Sequence, residues 1–508
     1  QSNWNKARLS VQVDAAVAPD GTLTATKLIE DTTPTDSHTL SQAITPTAVP
    51  HRLSVFAKKG GRSWIVLRLG GSNDFFNLDT GVATTNINSP IITDAGNGWY
   101  RCSVLSSAGT QGSVQMSADG TTTVYTGDGT SGIFIWGFQL ERSSTPSAYK
   151  PTTTSAFYGP RFDHDPLTLA CKGLLIEEGR TNSILQSEDF GTAWSAVNST
   201  VSVNAATSPN GLVTADKLIV NLLSVAGRLS QTTTLTGSHT FSAFLKASEW
   251  NWAFITPSML VGGVWFDLSN GTIGTQQAGC VGSIVSYGSG WYRCSVTLTG
   301  TGVASTTRIA PTNADNTNTA GDGTSGIFAW GAQLEAGSFP TSYIPTTTAA
   351  LNRSADVCSI TGANFTGFYN QTEGTLFSQT IKTSTNTNAF IVHASDNSFN
   401  NGADLRYNAV TTSAALINVS NVAQLTGFTA SVTTGSVVKQ SLSYKLNDCA
   451  YSANGASPVI DTSALIPTVS QMNIGAAFNN TLSLNGHISR IQYFRKRLSN
   501  QKLQTLTT

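Results

Sequence analysis

The run GWYRCSV at Gly98–Val104 recurs unchanged at Gly290–Val296. Each copy is followed by a second shared run, GDGTSGIFIWGFQLE at Gly127–Glu141 and GDGTSGIFAWGAQLE at Gly321–Glu335. Working outward from these anchors, Trp4 falls opposite Trp194, Pro19 opposite Pro209 and Lys27 opposite Lys217. LSVFAK from Leu53 falls opposite FSAFLK from Phe241. The offset stays at about 190 residues and drifts by only a few, so insertions are confined to loops. The chain carries two copies of one domain.

Each copy reads as all-β. In LSVFAK, Leu53, Val55 and Ala57 point one way while Ser54, Phe56 and Lys58 point the other, and Phe241, Ala243 and Leu245 repeat the inward set. A period of two marks a half-buried strand. GIFIWGFQLE is apolar on both faces and reads as a central strand. Turn signals at Asn97-Gly98, Asn270-Gly271 and Asp79-Thr80-Gly81 separate such runs. Roughly eight or nine strands per copy make a two-sheet sandwich of jelly-roll type.

Eight of the ten tryptophans are paired between the copies: Trp4, Trp64, Trp99 and Trp136 with Trp194, Trp252, Trp291 and Trp330. Core aromatics must stay to fill volume, whereas binding loops vary on a common frame. The repeated motif is therefore expected to be scaffold, with Trp136 and Trp330 in the core. Cys102 and Cys294 are expected as buried thiols, and Arg101/Arg293 are expected to pair with Glu141/Glu335 across the sheet edge. The unpaired rings are Trp250, opposite Arg62, and Trp265, opposite Phe75. These two are the candidate carbohydrate-binding residues, with simple packing as the alternative.

Composition narrows the partners. Lys+Arg and Asp+Glu balance at 29 each, and charged residues are only 11% of the 508. No net field draws the chain to nucleic acid or anionic lipid, and no apolar run is long enough to span a bilayer as a helix. A surface rich in Thr, Ser, Asn and Gly suits neutral sugars or further copies of the same protein. The six cysteines form neither a CxxC nor a cluster with His.

Several longer motifs carry a family resemblance. PRFDHDPLTLACKGLLIEEGRTNSILQSEDF (Pro160–Phe190) resembles a connector of tailed-bacteriophage tail-fibre and virion-surface proteins. There, GLLIEE-RTN-L-SEDF introduces a carbohydrate-binding-module-like jelly roll. GAQLEAGSFPTSYIPTT (Gly331–Thr347) resembles that module's closing strand and exit. RSADVCSITGANFTGFYNQTEGTLF (Arg353–Phe377) and LNGHISRIQYFRKRLSNQKLQTLT (Leu484–Thr507) resemble the start and end of a concanavalin-like, laminin-G-type domain. The resemblance implies two tandem jelly-roll β-sandwiches followed by a lectin-like sandwich. The expected division is a jelly roll over 1–154, a connector over 155–189, a second jelly roll over 190–349 and the concanavalin-like domain over 350–508. Copy one begins at its first Trp without the introducing segment, so the sequence is expected to be a piece of a longer protein. The C-terminal LSNQKLQTLT is expected to form a short helix with Ser499 as N-cap and Leu503 and Leu506 on one face.

No enzyme is expected. Concanavalin-like glycosidases carry carboxylates alternating on one strand, and the third domain has no E-x-D-x-E. Asp163, His164 and Asp165 read as a turn ahead of Pro166. Jelly rolls of this kind often hold one structural calcium, for which Asp128/Asp322 and Glu141/Glu335 are the candidates, with a plain turn and a sheet-edge ion pair as the alternative. No other cofactor is expected. The resemblance implies a phage virion protein. The expected role is a virion-surface fibre or spike that touches other virion proteins and bacterial surface glycans, and a low-charge chain of small sandwiches is expected to self-associate as a homotrimer. The alternatives are a purely architectural head or tail decoration, and a glycan depolymerase.

Overall fold

The computed structural model describes residues 4–44, 51–84, 87–106, 111–141, 143–152, 159–223, 226–233, 237–258, 262–298, 306–318, 320–384, 386–430 and 432–508. It falls into two compact units, Gln1–Gly159 and Pro160–Thr508. Nearly all regular structure in both is β.

In the first unit, one sheet runs Asn5–Ala7, Thr39–Ala43, Gln111–Ser117, Trp64–Leu69, Ser72–Asn77, Val82–Ala83. The other runs Ile91–Gly96, Trp99–Ser106, His51–Lys59, Gly132–Glu141, Ala25–Glu30, Leu9–Ala16. In the second copy the corresponding orders are Ser195–Val197, Arg228–Gln231, Thr307–Thr312, Trp252–Ser258, Gly262–Asp267, Thr272–Gln276 and Cys280–Gly288, Trp291–Leu298, His239–Ala247, Gly326–Ala336, Val213–Val220, Ser199–Thr207. Strand for strand the two orders are the same. The copies are one jelly roll, called module one and module two below.

The repeated residues hold this frame. Trp99 and Trp291 are buried, and their indole N–H groups donate to the carbonyls of Val17 and Thr207 at 3.1 and 3.0 Å. Arg101 and Arg293 donate to the hydroxyls of Ser54 and Ser242 at 2.9 and 3.0 Å and lie over the rings of Phe56 and Phe244. Cys102 and Cys294 are fully buried, and burial pushes both thiols up. The expected Arg–Glu pairing takes another form. Glu141 accepts the backbone N–H of Ser147 at 2.9 Å and its hydroxyl at 2.5 Å, while Arg101 donates to the same residue's carbonyl. Glu335 likewise accepts the N–H and hydroxyl of Thr341. The glutamate fastens the exit segment to its strand.

The C-terminal sandwich corrects the expected connector. Its larger sheet runs Arg161–His164, Cys171–Ile176, Gly486–Phe494, Glu373–Lys382, Val437–Lys445, Cys449–Ala453, Val459–Asp461. The facing sheet runs Ser359–Thr361, Gln471–Ile474, Ala389–Ser395, Gly402–Ala409, Thr412–Val419, Val422–Ala430. The hairpin Arg161–Ile176 is therefore part of this sandwich, registered Leu174 to Ile488 and Ile176 to Gly486. Module two is inserted between that hairpin and the rest of the domain. Its first and last flanking strands, Arg180–Asn182 and Leu351–Arg353, pair antiparallel with each other. Tyr407, Leu442, Tyr444 and Tyr451 fill the space between the two sheets.

A buried charge cluster locks the junction. The Glu177 carboxylate lies 2.8 Å from both Arg161 and Arg353 and accepts the N–H and hydroxyl of Ser342 at 2.7 and 2.6 Å. Arg161 also pairs with Asp356, which accepts the Glu177 N–H at 2.7 Å. Burial pushes the Glu177 carboxyl up, but Arg353, Ser342 and Arg161 together outweigh it and hold it below the ordinary value. Asp163 meets His487 at 2.7 Å, and Asp165 closes the turn by accepting from Leu167 and Thr168. The terminal helix is Asn500–Thr507. Ser499 caps it by accepting from Lys502, and Leu503 and Thr507 rather than Leu506 are its buried residues.

Candidate functional site

Two Phe-Asn-Asn triplets, Phe399–Asn401 and Phe478–Asn480, meet on the C-terminal sandwich. The first lies in the turn joining Ala389–Ser395 to Gly402–Ala409, and the second in the loop after Gln471–Ile474. Their rings touch edge-to-face at 4.8 Å. Asn397 and Asn480 hold φ of 71° and 60°, a left-handed conformation that Asn tolerates better than most residues. These loops therefore need Asn at the bends that bring the two phenylalanines together.

Phe399 is 41% exposed. The buried His393 stacks beneath it at 5.8 Å, and Phe390 packs behind. Burial, helped by Arg406, pushes the His393 imidazole down to about 4, so it is neutral. Its Nδ1 accepts the Phe478 N–H at 3.2 Å. Opposite His393 on the next strand is Asp404, which burial pushes up to about 7 although Arg406 Nε stands 3.1 Å away. Around the rings runs a rim of amides. Gln471 donates to Asn397 and Asn473 at 3.2 and 3.1 Å, and Asn401 donates to Asp396 at 2.9 Å. Burial pushes the Asp396 carboxyl up, but the bonds from Ser398 and Asn401 outweigh it and hold it below its usual range. One exposed aromatic ring, met edge-on by a second and ringed by amides and one carboxylate, suits a ligand with a C–H face and hydroxyl edges.

Module one has a separate concavity of about 300 Å³, lined among others by Trp4, Lys6, Thr24, Thr26, Trp136 and Tyr149. Trp136, expected in the core, is only half-buried here, and its indole N–H donates to Thr24 at 3.1 Å. Trp330 is buried as expected.

The sequence-derived sugar candidates are corrected. Trp250 and Trp265 are 8% and 7% exposed, so neither presents a ring face for stacking. In module one the place of Trp250 is taken by Arg62, whose guanidinium grips the buried Glu30. Glu30 also accepts from the Tyr125 hydroxyl at 2.6 Å. In module two the place of Glu30 is taken by Val220, and Trp250 packs in the same core as that valine. One module fills the space with a charge network and the other with apolar volume. Trp265 packs on Phe254 at 4.3 Å.

The calcium candidates of each module stand apart. Asp128 and Asp322 each close their own turn, and bonds from Ser131 and Thr130, or Ser325 and Thr324, hold both carboxyls well below their usual range. Glu141 lies at the far end of Gly132–Glu141, about 30 Å along the strand from the Asp128 turn, so the two cannot share an ion. Among the described residues no three His, Cys, Asp or Glu side chains gather as a metal site. The Phe-Asn-Asn rim escaped sequence reading because Asn-rich stretches read as turns. The repeated triplet was the signal.

No protein-family model matches the chain, and no curated protein matches it. Among solved structures, it is similar to the N-terminal tandem domain CBM22-1–CBM22-2 of Xyn10C from Paenibacillus barcinonensis, at 10% identity and TM-score 0.26. That match covers 66% of this chain and 94% of the other. Domains LG4-5 of the mouse laminin alpha1 chain align at 9% identity and TM-score 0.22, covering 70% and 97%. A native heptameric SAP-like pentraxin from Limulus polyphemus aligns at 13% identity and TM-score 0.22, covering 28% and 73%. With scores this low, the fold rests on the strand orders given above.

Proposed function

We propose that the chain is a non-catalytic display protein of a bacteriophage surface, a fibre or spike, that holds a neutral-glycan site on its C-terminal sandwich. The virion assignment rests on the sequence motifs of the connector and the closing strands. The observation that carries the glycan site is the exposed Phe399 ring, met edge-to-face by Phe478, inside an amide rim. A pyranose ring lies with its C–H face on Phe399, and its hydroxyls exchange hydrogen bonds with Asn397, Asn400 and Asn479. Such a shallow site is weak alone. Repetition across a self-assembled particle, with a trimer as the expected unit, raises avidity by ~10²–10⁴ without new contacts.

The test is binding of the full chain to an array of bacterial surface oligosaccharides, compared with Phe399→Ala. About tenfold weaker binding at an unchanged melting temperature supports the site. Undiminished binding by both Phe399→Ala and Phe478→Ala refutes it. Release of reducing sugar from a bound glycan would instead favour a depolymerase. The architectural reading, a head or tail decoration, is supported by the insertion of module two into the C-terminal sandwich through the paired strands Arg180–Asn182 and Leu351–Arg353. Loss of particle integrity on deletion, with no glycan bound, would support it.

A further inference from the structure

The outermost strand of a sheet presents backbone N–H and C=O groups that a further strand can pair with, and folds usually blunt such edges. Most edges of this fold are blunted. Among the described residues many outermost strands are short, from two residues at Val82–Ala83 to five at Thr272–Gln276. Leu9–Ala16 and Ser199–Thr207 are longer but break register around the left-handed Asp14 and Asn204. Val422–Ala430 is met by the Leu465 loop, whose N–H donates to Gln424 at 3.0 Å. Ile91–Gly96 carries Asp94 and follows directly on Pro90.

Cys280–Gly288 of module two has none of these devices. It is nine residues long and keeps continuous register with Trp291–Leu298 from Cys280 to Ser286. No charged residue occurs between Asp267 and Arg293. The repeat sharpens the contrast, because Ile91–Gly96 is the same strand in module one. There Asp94 stands opposite Tyr100 as Ser286 stands opposite Tyr292, and the same offset puts Pro90 at Gly282 and Thr93 at Val285. One copy carries the blunting residues and the other lacks them. The Gly282 N–H donates to the Gln276 side chain at 2.7 Å, so it points away from Trp291–Leu298. By the alternation of an antiparallel ladder, Ile284 and Ser286 then aim their backbone groups at the open edge as well. The residues between them, Val281, Val285 and Tyr287, are exposed on the outer face.

We propose that Cys280–Gly288 pairs with the same strand of a second copy of this chain, antiparallel about a two-fold axis at Ile284. The two Ile284 residues exchange backbone bonds across the axis, and each Ser286 N–H donates to the carbonyl of the partner's Gly282. All four bonds leave the bond from Gly282 to Gln276 intact. On the outer face this register sets Val281 against the partner's Tyr287 and Ser283 against the partner's Val285, a favourable set of cross-strand pairs. With no charge on either strand, nothing opposes the pairing of like with like. The apolar surface continues past Gly288, where an added Cβ would stand 3.8 Å from Cδ2 of the exposed Leu167. A two-fold contact cannot lie inside a closed three-fold assembly, so it joins neighbouring trimers or makes a dimer of the isolated chain. It is independent of the glycan site, which lies on the C-terminal sandwich.

The test is sedimentation velocity of the full chain, with hydrogen exchange of the Cys280–Gly288 peptide followed at both ends of the concentration range. So small a contact falls short of a stable dimer interface, and half-association is expected at about 10–100 µM. The sedimenting unit should double in mass, and exchange of the peptide should slow as it does. Val285→Lys changes an exposed side chain and sets two lysines diagonally across the axis, which should raise the half-association point about tenfold or more. Ser286→Asp copies the residue that module one carries on the same frame, and should act likewise with an unchanged melting profile. No association up to about 1 mM by a normally melting chain overturns the proposal. So does association that survives both substitutions, or a trimer that forms without protecting the peptide. Protection that appears only when a different protein is added would give the edge another occupant and overturns it too.

Discussion

Replacing Glu177 by alanine tests the junction between module two and the C-terminal sandwich. The carboxylate is buried, touches Arg161 and Arg353 at 2.8 Å and accepts two bonds from Ser342. Removing one partner of a fully buried pair costs about 3–5 kcal/mol, because the remaining charges keep their desolvation cost. Here the arginine side chains are 28% and 20% exposed, so water recovers part of it and about 2–4 kcal/mol is expected. Differential scanning calorimetry of the full chain should show the transition of Pro160–Thr508 lowered by a few degrees, with that of Gln1–Gly159 in place. Acid should act in the same direction. The folded-state pKa of Glu177 lies below its ordinary 4.5, so the unfolded chain takes up the proton first as pH falls. The stabilisation is complete above about pH 4.5 and is lost as pH drops through the folded value. Glu177→Gln should flatten this part of the stability–pH curve. An unshifted calorimetric transition in Glu177→Ala, with the same acid limb as the wild type, would refute the locking role.

Two further substitutions probe the repeat. Trp330→Ala should cost about 3–5 kcal/mol of module two stability in a urea titration, and Trp136→Ala in its half-open cleft about 1–3 kcal/mol of module one; equal costs would mean the two rings are equally covered. Arg62→Ala, which strands the buried Glu30, should cost about 2–4 kcal/mol. The double swap Glu30→Val with Arg62→Trp copies the solution of module two and should restore stability to within about 1 kcal/mol of the wild type. A double variant no better than Arg62→Ala would show that the surrounding core cannot accept the exchange.

How far the sequence could be read depended on the range of the contacts. That both modules share one jelly-roll frame was legible because Trp99 and Arg101 have the same partners in their copy as Trp291 and Arg293 in theirs, and a shared frame keeps a constant offset. The terminal helix was legible from its cap. The hairpin Arg161–Ile176 was not, because its pairing with Gly486–Phe494 joins segments roughly 310 residues apart, and local periodicity says which residues form strands but not which strands meet. Trp250 was misread for a related reason. Whether an unpaired Trp is a platform or a filler is decided by the residue facing it, and the exchange of Glu30 for Val220 shows that only after folding. The Phe-Asn-Asn rim was not read from the sequence: the two triplets stand there, but their meeting is a contact between distant loops that local pattern does not show.

The insertion of module two also sets how the chain carries load. A pull applied between Pro160 and Thr508 is taken up wholly within the C-terminal sandwich, where both ends of that stretch reside. Module two hangs from the paired strands Arg180–Asn182 and Leu351–Arg353 as a side branch, outside the line of tension. It stays slack until its host domain yields, so under shear the sandwich that bears the proposed glycan site is strained first and the inserted module is spared.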